Sequence, residues 1–175
     1  TTIATAFNNN ANNNTAIGFW ALCSNQTGKD NVAIGRCTLV CNLTGYGNVA
    51  IGNSSLQWYQ GYFNVAIGYC ALACAVGSGP TMNVALGAYA LQNVGNSGSG
   101  NFAAGYLALT SASGSNNIAI GSYAGRGAWC GCSNVSLGSC AQYGACNVSN
   151  NIAIGVNTLY NNKSSCANIC LLYTS

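Results

Sequence analysis

Hydrophobic and polar residues alternate in a short pattern that returns nine times along the chain. Each copy begins with Asn, continues with an apolar or Thr residue, a small residue and a further apolar or small residue, and ends with Gly, as in NVAIG at 31–35. Such alternation is typical of a β-strand, in which successive side chains point to opposite faces. The pattern therefore predicts a protein built from one short strand that is repeated along the chain.

The copies are 16 to 19 residues apart, and this drifting period predicts the coils of a solenoid with loops of variable length. A tenth, degenerate copy occupies 168–172, with Leu172 in place of glycine. We expect a lead-in or cap at 1–13, solenoid repeats at 14–160, and a degenerate terminal repeat or cap at 161–175. The predicted fold class is all-β, a parallel β-solenoid of nine to ten coils. The turn glycines that end the copies are Gly18, Gly35, Gly52, Gly68, Gly87, Gly105, Gly121, Gly138 and Gly155.

A second alternation follows each glycine, as in FWAL at 19–22 and YCAL at 69–72, and predicts a second short strand after a glycine turn. We expect the Val/Ile columns, and the second and fourth residues after each glycine, to point into the coil. The small residues between them would then form a flat outer face, which predicts a packing interface. Its first-strand members are Ala16, Ala33, Ala50, Ala66, Ala85, Ala103, Ala119 and Ala153.

The asparagine that opens each copy has two interpretations, which the sequence leaves open. It could form a ladder of side-chain amides between coils, or it could be a turn residue chosen for local hydrogen bonding and tolerance of a left-handed backbone. The column consists of Asn14, Asn31, Asn48, Asn64, Asn83, Asn101, Asn117, Asn134 and Asn151.

Charge is scarce, because only 3% of the residues are charged and the chain has no His and a single acid. Four scattered basic residues make no patch for a nucleic acid. No apolar run approaches the roughly 20 residues of a membrane-spanning helix. General acid–base catalysis needs paired titratable groups, and Asp30 stands alone. We expect a non-catalytic protein with no cofactor, no metal site, no nucleic-acid partner and no membrane span.

Eleven cysteines favour disulfides and an oxidising compartment over buried free thiols. Loop positions in adjacent coils suggest Cys23 with Cys41 and Cys130 with Cys146, and pairs within one coil, such as Cys70 with Cys74, are the alternative. Glycosylation sequons lie in loops at Asn25, Asn42 and Asn147. Loop aromatic residues could stack on sugars, although packing within the loops is the favoured interpretation; they include Tyr46, Trp58, Tyr59, Tyr62 and Trp129.

The unit N-x-A-I-G-x-x-A-L resembles the head repeats of trimeric autotransporter adhesins and the related repeats of phage and large-virus fibres and bacterial surface proteins. The resemblance covers Asn14 to about Leu159. It implies a left-handed β-roll, three rolls packed around an axis, and no catalytic residues to carry over. The function that it implies is the head or shaft of an adhesive fibre.

Together these features predict a structural or adhesive fibre module that is extracellular, on a cell surface or on a virion. Its expected partners are further copies of itself, as a trimer or a filament, with a host-surface protein or a glycan as a further candidate. The alternative is an ice-binding solenoid, since such proteins also use flat faces of small residues. A polysaccharide-binding or polysaccharide-cleaving β-helix is the least favoured interpretation.

Overall fold

The structure is a computed structural model that describes residues 12–75, 79, 81–95, 98–127 and 130–172. Within these residues all regular structure is β-strand, and the predicted all-β parallel solenoid is confirmed. Ten three-residue strands, one in each coil, form a single parallel sheet, and two two-residue strands form a second sheet. The strands are β1 (Thr15–Ile17), β2 (Val32–Ile34), β3 (Val49–Ile51), β4 (Val65–Ile67), β5 (Cys74–Ala75), β6 (Val84–Leu86), β7 (Asn93–Val94), β8 (Phe102–Ala104), β9 (Ile118–Ile120), β10 (Val135–Leu137), β11 (Ile152–Ile154) and β12 (Ile169–Leu171).

Each strand of the large sheet pairs in register with the equivalent residues of the next coil. The order is β1-β2-β3-β4-β6-β8-β9-β10-β11-β12, and Ala33, for example, lies opposite Ala16. The degenerate tenth copy takes part, since β12 pairs with β11. The small sheet joins β5 to β7. Most of the predicted lead-in, residues 1–11, lies outside the described residues, and the left-handed winding stays a prediction.

The middle residue of each large-sheet strand points into the coil, so the expectation that the alanine column faces outward is wrong. Ala16, Ala33, Ala50, Ala66, Ala85, Ala103, Ala119 and Ala153 are all buried. The Val and Ile residues on either side are half-buried or exposed and point outward. Alternation shows which residues share a face, but both faces here are apolar, so the alternation could not show which one is inside. The interior of the coil is narrow where the strand faces the turn on the opposite side. The methyl group of an alanine fills this space.

The segment after each glycine is a series of turns, and the predicted second strand is wrong there. Its second and fourth residues have positive φ in nearly every coil, as at Tyr89 (59°) and Leu91 (51°), so the chain bends at each of them. The fourth residue, usually Leu, is buried as predicted, whereas the second is buried only at Cys37. The third residue, expected outside, is buried in every coil: Ala21, Thr38, Ser55, Ala71, Ala90, Ala108, Ala124, Ala141 and Thr158.

The repeated glycine is required by backbone conformation and by the close approach of the next coil. The nine turn glycines have φ between 121° and 137°, a region that is unfavourable for residues with a Cβ atom. A Cβ atom on Gly121 would lie 2.6 Å from the carbonyl oxygen of Gly138 in the coil above. Leu172 ends the stack of described coils without a positive φ.

The asparagine column forms a ladder of side-chain amides, as one of the two interpretations predicted. The Oδ1 atom of Asn117 accepts hydrogen bonds from the backbone N–H (3.0 Å) and Nδ2 (3.0 Å) of Asn134. The Nδ2 atom of Asn117 donates to Asn101 Oδ1 (3.1 Å) and to the carbonyl of Gly131 (2.8 Å). Backbone N–H donation to the preceding asparagine repeats from Asn31 to Asn168. The ladder thus ties each strand to the coil below and to its own loop.

Replacing a rung of this ladder should destabilise the fold. In Asn117→Ala the buried N–H of Asn134 and the carbonyl of Gly131 would lose their partner, at a cost of about 2–4 kcal/mol in the free energy of unfolding. Urea unfolding followed by circular dichroism measures this change. Asn93→Ala removes an exposed amide and serves as the control. Equal stability of the two variants would contradict the structural role of the ladder.

Candidate functional site: a sheet strip and a tyrosine ladder

The outward side chains of the large sheet form one continuous apolar surface, which we call the sheet strip. It consists of the first and third residues of the ten strands. Ile67 is 40% exposed, Ile120 45% and Ile154 41%. Strand spacing makes the strip about 43 Å long, with its two columns about 7 Å apart. The members are Thr15, Val32, Val49, Val65, Val84, Phe102, Ile118, Val135, Ile152 and Ile169, and Ile17, Ile34, Ile51, Ile67, Leu86, Ala104, Ile120, Leu137, Ile154 and Leu171.

The sheet strip has no charged residue and a single hydroxyl residue, Thr15. Its footprint is on the order of 400 Å², which is within the range at which exposed apolar patches mark interaction sites. An aromatic cluster lies just before the asparagine ladder. There the ring of Tyr46 stacks on Tyr62 at 4.5 Å and meets the edge of Phe63 at 5.1 Å. Met82, which occupies the position of Phe63 in the next coil, is 64% exposed. These groups can make apolar contacts with another surface.

A second surface, which we call the tyrosine ladder, follows the turn glycines of six successive coils. Neighbouring ring centroids are 5.1 to 6.3 Å apart, mostly in edge-to-face contact, and the last pair is stacked at 12°. Three of the rings are 46–49% exposed and the other three are half-buried. The ladder is a continuous row of phenol groups along the stack of coils. Its members are Tyr69, Tyr89, Tyr106, Tyr123, Tyr143 and Tyr160.

Arg126 places a positive charge within the tyrosine ladder. Its guanidinium carbon lies 5.5 Å from the ring centroid of Tyr123 and 5.7 Å from that of Tyr143, and its Nη1 atom donates to the Tyr143 hydroxyl at 3.3 Å. Such cation–aromatic contacts hold a side chain in place. The ladder was not predicted from the sequence, although one tyrosine in each of six consecutive coils indicates it.

The predicted sugar-stacking aromatics do not form one site. Tyr46 and Trp58 are exposed, Tyr62 is half-buried, and Trp129 lies outside the described residues. Tyr59 is completely buried, so it is not available to stack on a sugar.

Tyr59 instead takes part in the asparagine ladder. Its hydroxyl donates to Asn64 Oδ1 at 3.3 Å and accepts from Asn83 Nδ2 at 3.4 Å. Burial raises the pKa of this phenol far above its usual value, and the hydrogen bond from Asn83 opposes the shift. The group is therefore a neutral core residue at physiological pH.

All eleven cysteines are free thiols in the structure, so the predicted disulfides are not confirmed. Cys23 and Cys130 are exposed, and Cys41 and Cys146 are half-buried. Burial, and to a smaller extent the neighbouring Cys23 thiol, raise the pKa of Cys41. The Cys23 thiol lies 3.9 Å from the carbonyl oxygen of Val40, the residue before Cys41, and the pairing of the two cysteines stays a prediction.

Two cysteines take the place of serine in a hydrogen-bonded column that lies two residues before the asparagine ladder. The backbone N–H of Ser99 donates to Ser115 Oγ at 3.1 Å, and that of Ser115 donates to Cys132 Sγ at 3.3 Å. The next steps run from Cys132 N–H to Ser149 Oγ (3.0 Å) and from Ser149 N–H to Cys166 Sγ (3.3 Å). Cys132 and Cys166 thus act as hydrogen-bond acceptors between coils.

The candidate glycosylation sites differ in accessibility. Asn42 is completely buried, and its Nδ2 atom donates to Asn25 Oδ1 and to the carbonyl of Gly45. A glycan on Asn42 is therefore incompatible with this fold, and that prediction is wrong. Asn25 is half-buried, whereas Asn147 is exposed. Glycosylation at these two positions stays a prediction.

No catalytic or metal-binding constellation is assembled within the described residues. There, His, Cys, Asp and Glu form no group of three or more that could hold a metal ion. The single acid, Asp30, accepts a hydrogen bond from Asn13 Nδ2 at 2.9 Å. Across the same part of the chain, no helix is long and apolar enough to span a membrane. No protein-family model, curated protein or solved structure matches this chain.

The serine-like role of Cys132 can be tested by a pair of substitutions. Cys132→Ser keeps an acceptor for the N–H of Ser115 and should change the free energy of unfolding by less than about 0.5 kcal/mol. Cys132→Ala removes the acceptor and should cost about 1 kcal/mol. Urea unfolding of both variants measures the difference. A disulfide at Cys132 would instead make the two losses equal, and that result would contradict the assigned role.

Proposed function

We propose that this chain is a non-catalytic structural module of an extracellular fibre or surface filament, and that it associates with copies of itself through the sheet strip. The observation that carries the proposal is the strip itself, a flat apolar surface maintained over ten in-register strands. Its residues point away from the core, so the fold does not need to bury them. Their removal from water requires another surface.

A second copy of the chain fits this surface better than an unrelated partner. The sheet strip is uncharged and repeats almost the same residues in every coil, so two strips are similar in shape and chemistry. A stable interface buries about 800 Å² on each partner, roughly twice the footprint of the strip. The adjacent cluster of Tyr46, Phe63 and Met82 would therefore take part. Because the strip runs along the stack of coils, it favours side-by-side packing of rods over end-to-end joining.

The proposed extracellular or surface location rests on other features. The chain has a low charge, eleven cysteines and an exposed sequon at Asn147. The resemblance to adhesin heads and viral fibres adds a trimer as the expected form of the assembly. An adhesive role would use a surface other than the sheet strip, because the assembly covers the strip.

The second candidate function is ice binding, which the flat, regular sheet strip also favours. A surface that orders water is expected to present a regular series of hydroxyl groups, whereas the strip has only Thr15. Self-association is therefore the better-supported function. A thermal-hysteresis measurement on monomeric protein tests the alternative directly.

Substitutions at adjacent residues test the proposed interface. Ile67→Glu adds a charge to the exposed sheet strip and should leave the fold intact while reducing the native mass in light scattering from an oligomer to a monomer. Ala66→Glu puts the same charge into the core and should destabilise the fold by more than about 4 kcal/mol. Circular dichroism and light scattering of both variants separate assembly from folding.

Thr44→Glu adds the same charge to an exposed loop and serves as the matched control, since it should preserve both fold and mass. A wild-type protein that is monomeric at all accessible concentrations would contradict the proposal, as would an Ile67→Glu variant that keeps the oligomeric mass. Thermal hysteresis in the monomer would then support the ice-binding alternative.

A further inference from the structure

We propose that the tyrosine ladder, together with Arg126, binds a linear acidic polysaccharide. This inference rests on the adhesive part of the proposed function and adds to it a binding surface and a class of ligand. It concerns a different surface from the sheet strip, so the two proposals can fail independently. Four features of the ladder support it: the fold does not require these tyrosines, all six rings carry a hydroxyl group, the row is preorganised, and its charged residue is positive.

The solenoid can be built without tyrosine at these positions. The equivalent positions after β2 and β3 are occupied by Arg36 and Cys37, and by Asn53 and Ser54, in coils with the same strand register. The ladder also changes its place in the repeat. In the last two coils of the ladder, the tyrosine is the fifth residue after the glycine. In the four coils before them it is the first or second residue after the glycine. Ring contact nevertheless continues across this change, from Tyr123 to Tyr143 at 6.3 Å. If the tyrosines had only been copied along with one position of the repeat, the contacts between rings would not continue across this change of position.

All six rings of the ladder are phenols. The sheet strip shows that this chain uses Val, Ile and Leu where a surface is purely apolar. A tyrosine ring offers a flat apolar face together with a hydroxyl group that both donates and accepts hydrogen bonds. A sugar ring has the complementary features, since it presents C–H groups on its faces and hydroxyl groups around its edge. A row of phenols therefore suits a carbohydrate better than it suits an apolar segment.

The row is also preorganised and linear. Each ring is supported by its neighbours, and a tyrosine has only two side-chain torsions to restrict, so little entropy is lost on binding. Six rings at the spacing of stacked strands extend over about 24 Å. An extended polysaccharide advances by a similar distance for each sugar as the solenoid does for each coil. The ladder can therefore contact a chain of about six sugars over its whole length.

The charge favours an acidic chain. Among the residues that the structure describes, Arg126 is the only charged side chain in contact with the tyrosine rings. The only acid, Asp30, lies two residues before β2, five strands away from the turn that contains Arg126. No carboxylate of the chain therefore competes for the guanidinium group or repels an anionic ligand. A carboxylate on the sugar chain could accept hydrogen bonds from Arg126 without displacing the tyrosine contacts.

Isothermal titration of the full chain with hexagalacturonate, and with the uncharged cellohexaose, tests this inference. We expect hexagalacturonate to bind more tightly than cellohexaose. Tyr106→Ala and Tyr160→Ala, both at exposed rings, should weaken hexagalacturonate binding at least about fivefold. Arg126→Gln should remove the preference for the acidic chain. Phe19→Ala, which truncates an exposed ring at the same position of the repeat as Tyr106 but outside the ladder, is the matched control and should leave the affinity unchanged.

Several results would overturn the inference: no binding of hexagalacturonate, binding that the ladder variants leave unchanged, or equal affinity for cellohexaose. Light scattering on the same samples separates this inference from the proposed assembly. A protein that assembles but does not bind the acidic chain would contradict the proposed ligand and would be compatible with the structural function. A monomer that binds it through the ladder would support the ligand and contradict self-association.

Discussion

The hydrogen bonding between coils is the constraint on which the rest of this structure depends. Each strand pairs only with the coils above and below it, so every coil must present the same backbone shape at the same place. Glycine meets this requirement at the turn, where φ lies between 121° and 137°. Asparagine meets it at the start of the strand, because one amide serves the coil below, the coil above and its own loop. The loops are also hydrogen-bonded between coils, as from the Ser115 N–H to Cys132 Sγ, but they differ in length, so the repeat length varies while the five-residue unit does not.

The sequence predicted the solenoid, its coils, the turn glycines and the tenth degenerate strand, because each depends on a local and repeated requirement. It did not predict which face of the strand is inside. Inversion of the alanine and valine columns follows from the thin interior, which has room for Ala66 between strand and turn but not for Ile67. The turns after each glycine were missed for a related reason. Their more apolar residues alternate in the sequence like those of a strand, whereas in the structure the chain bends at the second and fourth residues and the third and fourth are both buried in nearly every coil.

Polar residues inside the coil follow the same logic of stacking. Thr38 and Ser55 occupy an alanine column, and each hydroxyl donates to the glycine carbonyl three residues earlier, at 3.1 Å in both cases. Tyr59 enters the interior where its hydroxyl can join the amides of Asn64 and Asn83. Cys132 likewise replaces a serine as the acceptor of a backbone N–H. A position in this solenoid is therefore defined by the hydrogen bond that it must complete, and several residue types can complete the same one.

The outward columns are free of these requirements, and their regularity is for that reason informative. Strand propensity favours β-branched residues at outward positions, but threonine would satisfy that preference and interact better with water. Thr15 is the only threonine in the sheet strip, so strand propensity does not explain the apolar character of the strip. The rings of the tyrosine ladder form a continuous row although the tyrosines occupy different positions of the repeat. The stacking of coils does not explain this continuity. One surface is apolar and the other carries hydroxyl groups and a cation, so a single rod can present one to its own copies and keep the other for a ligand.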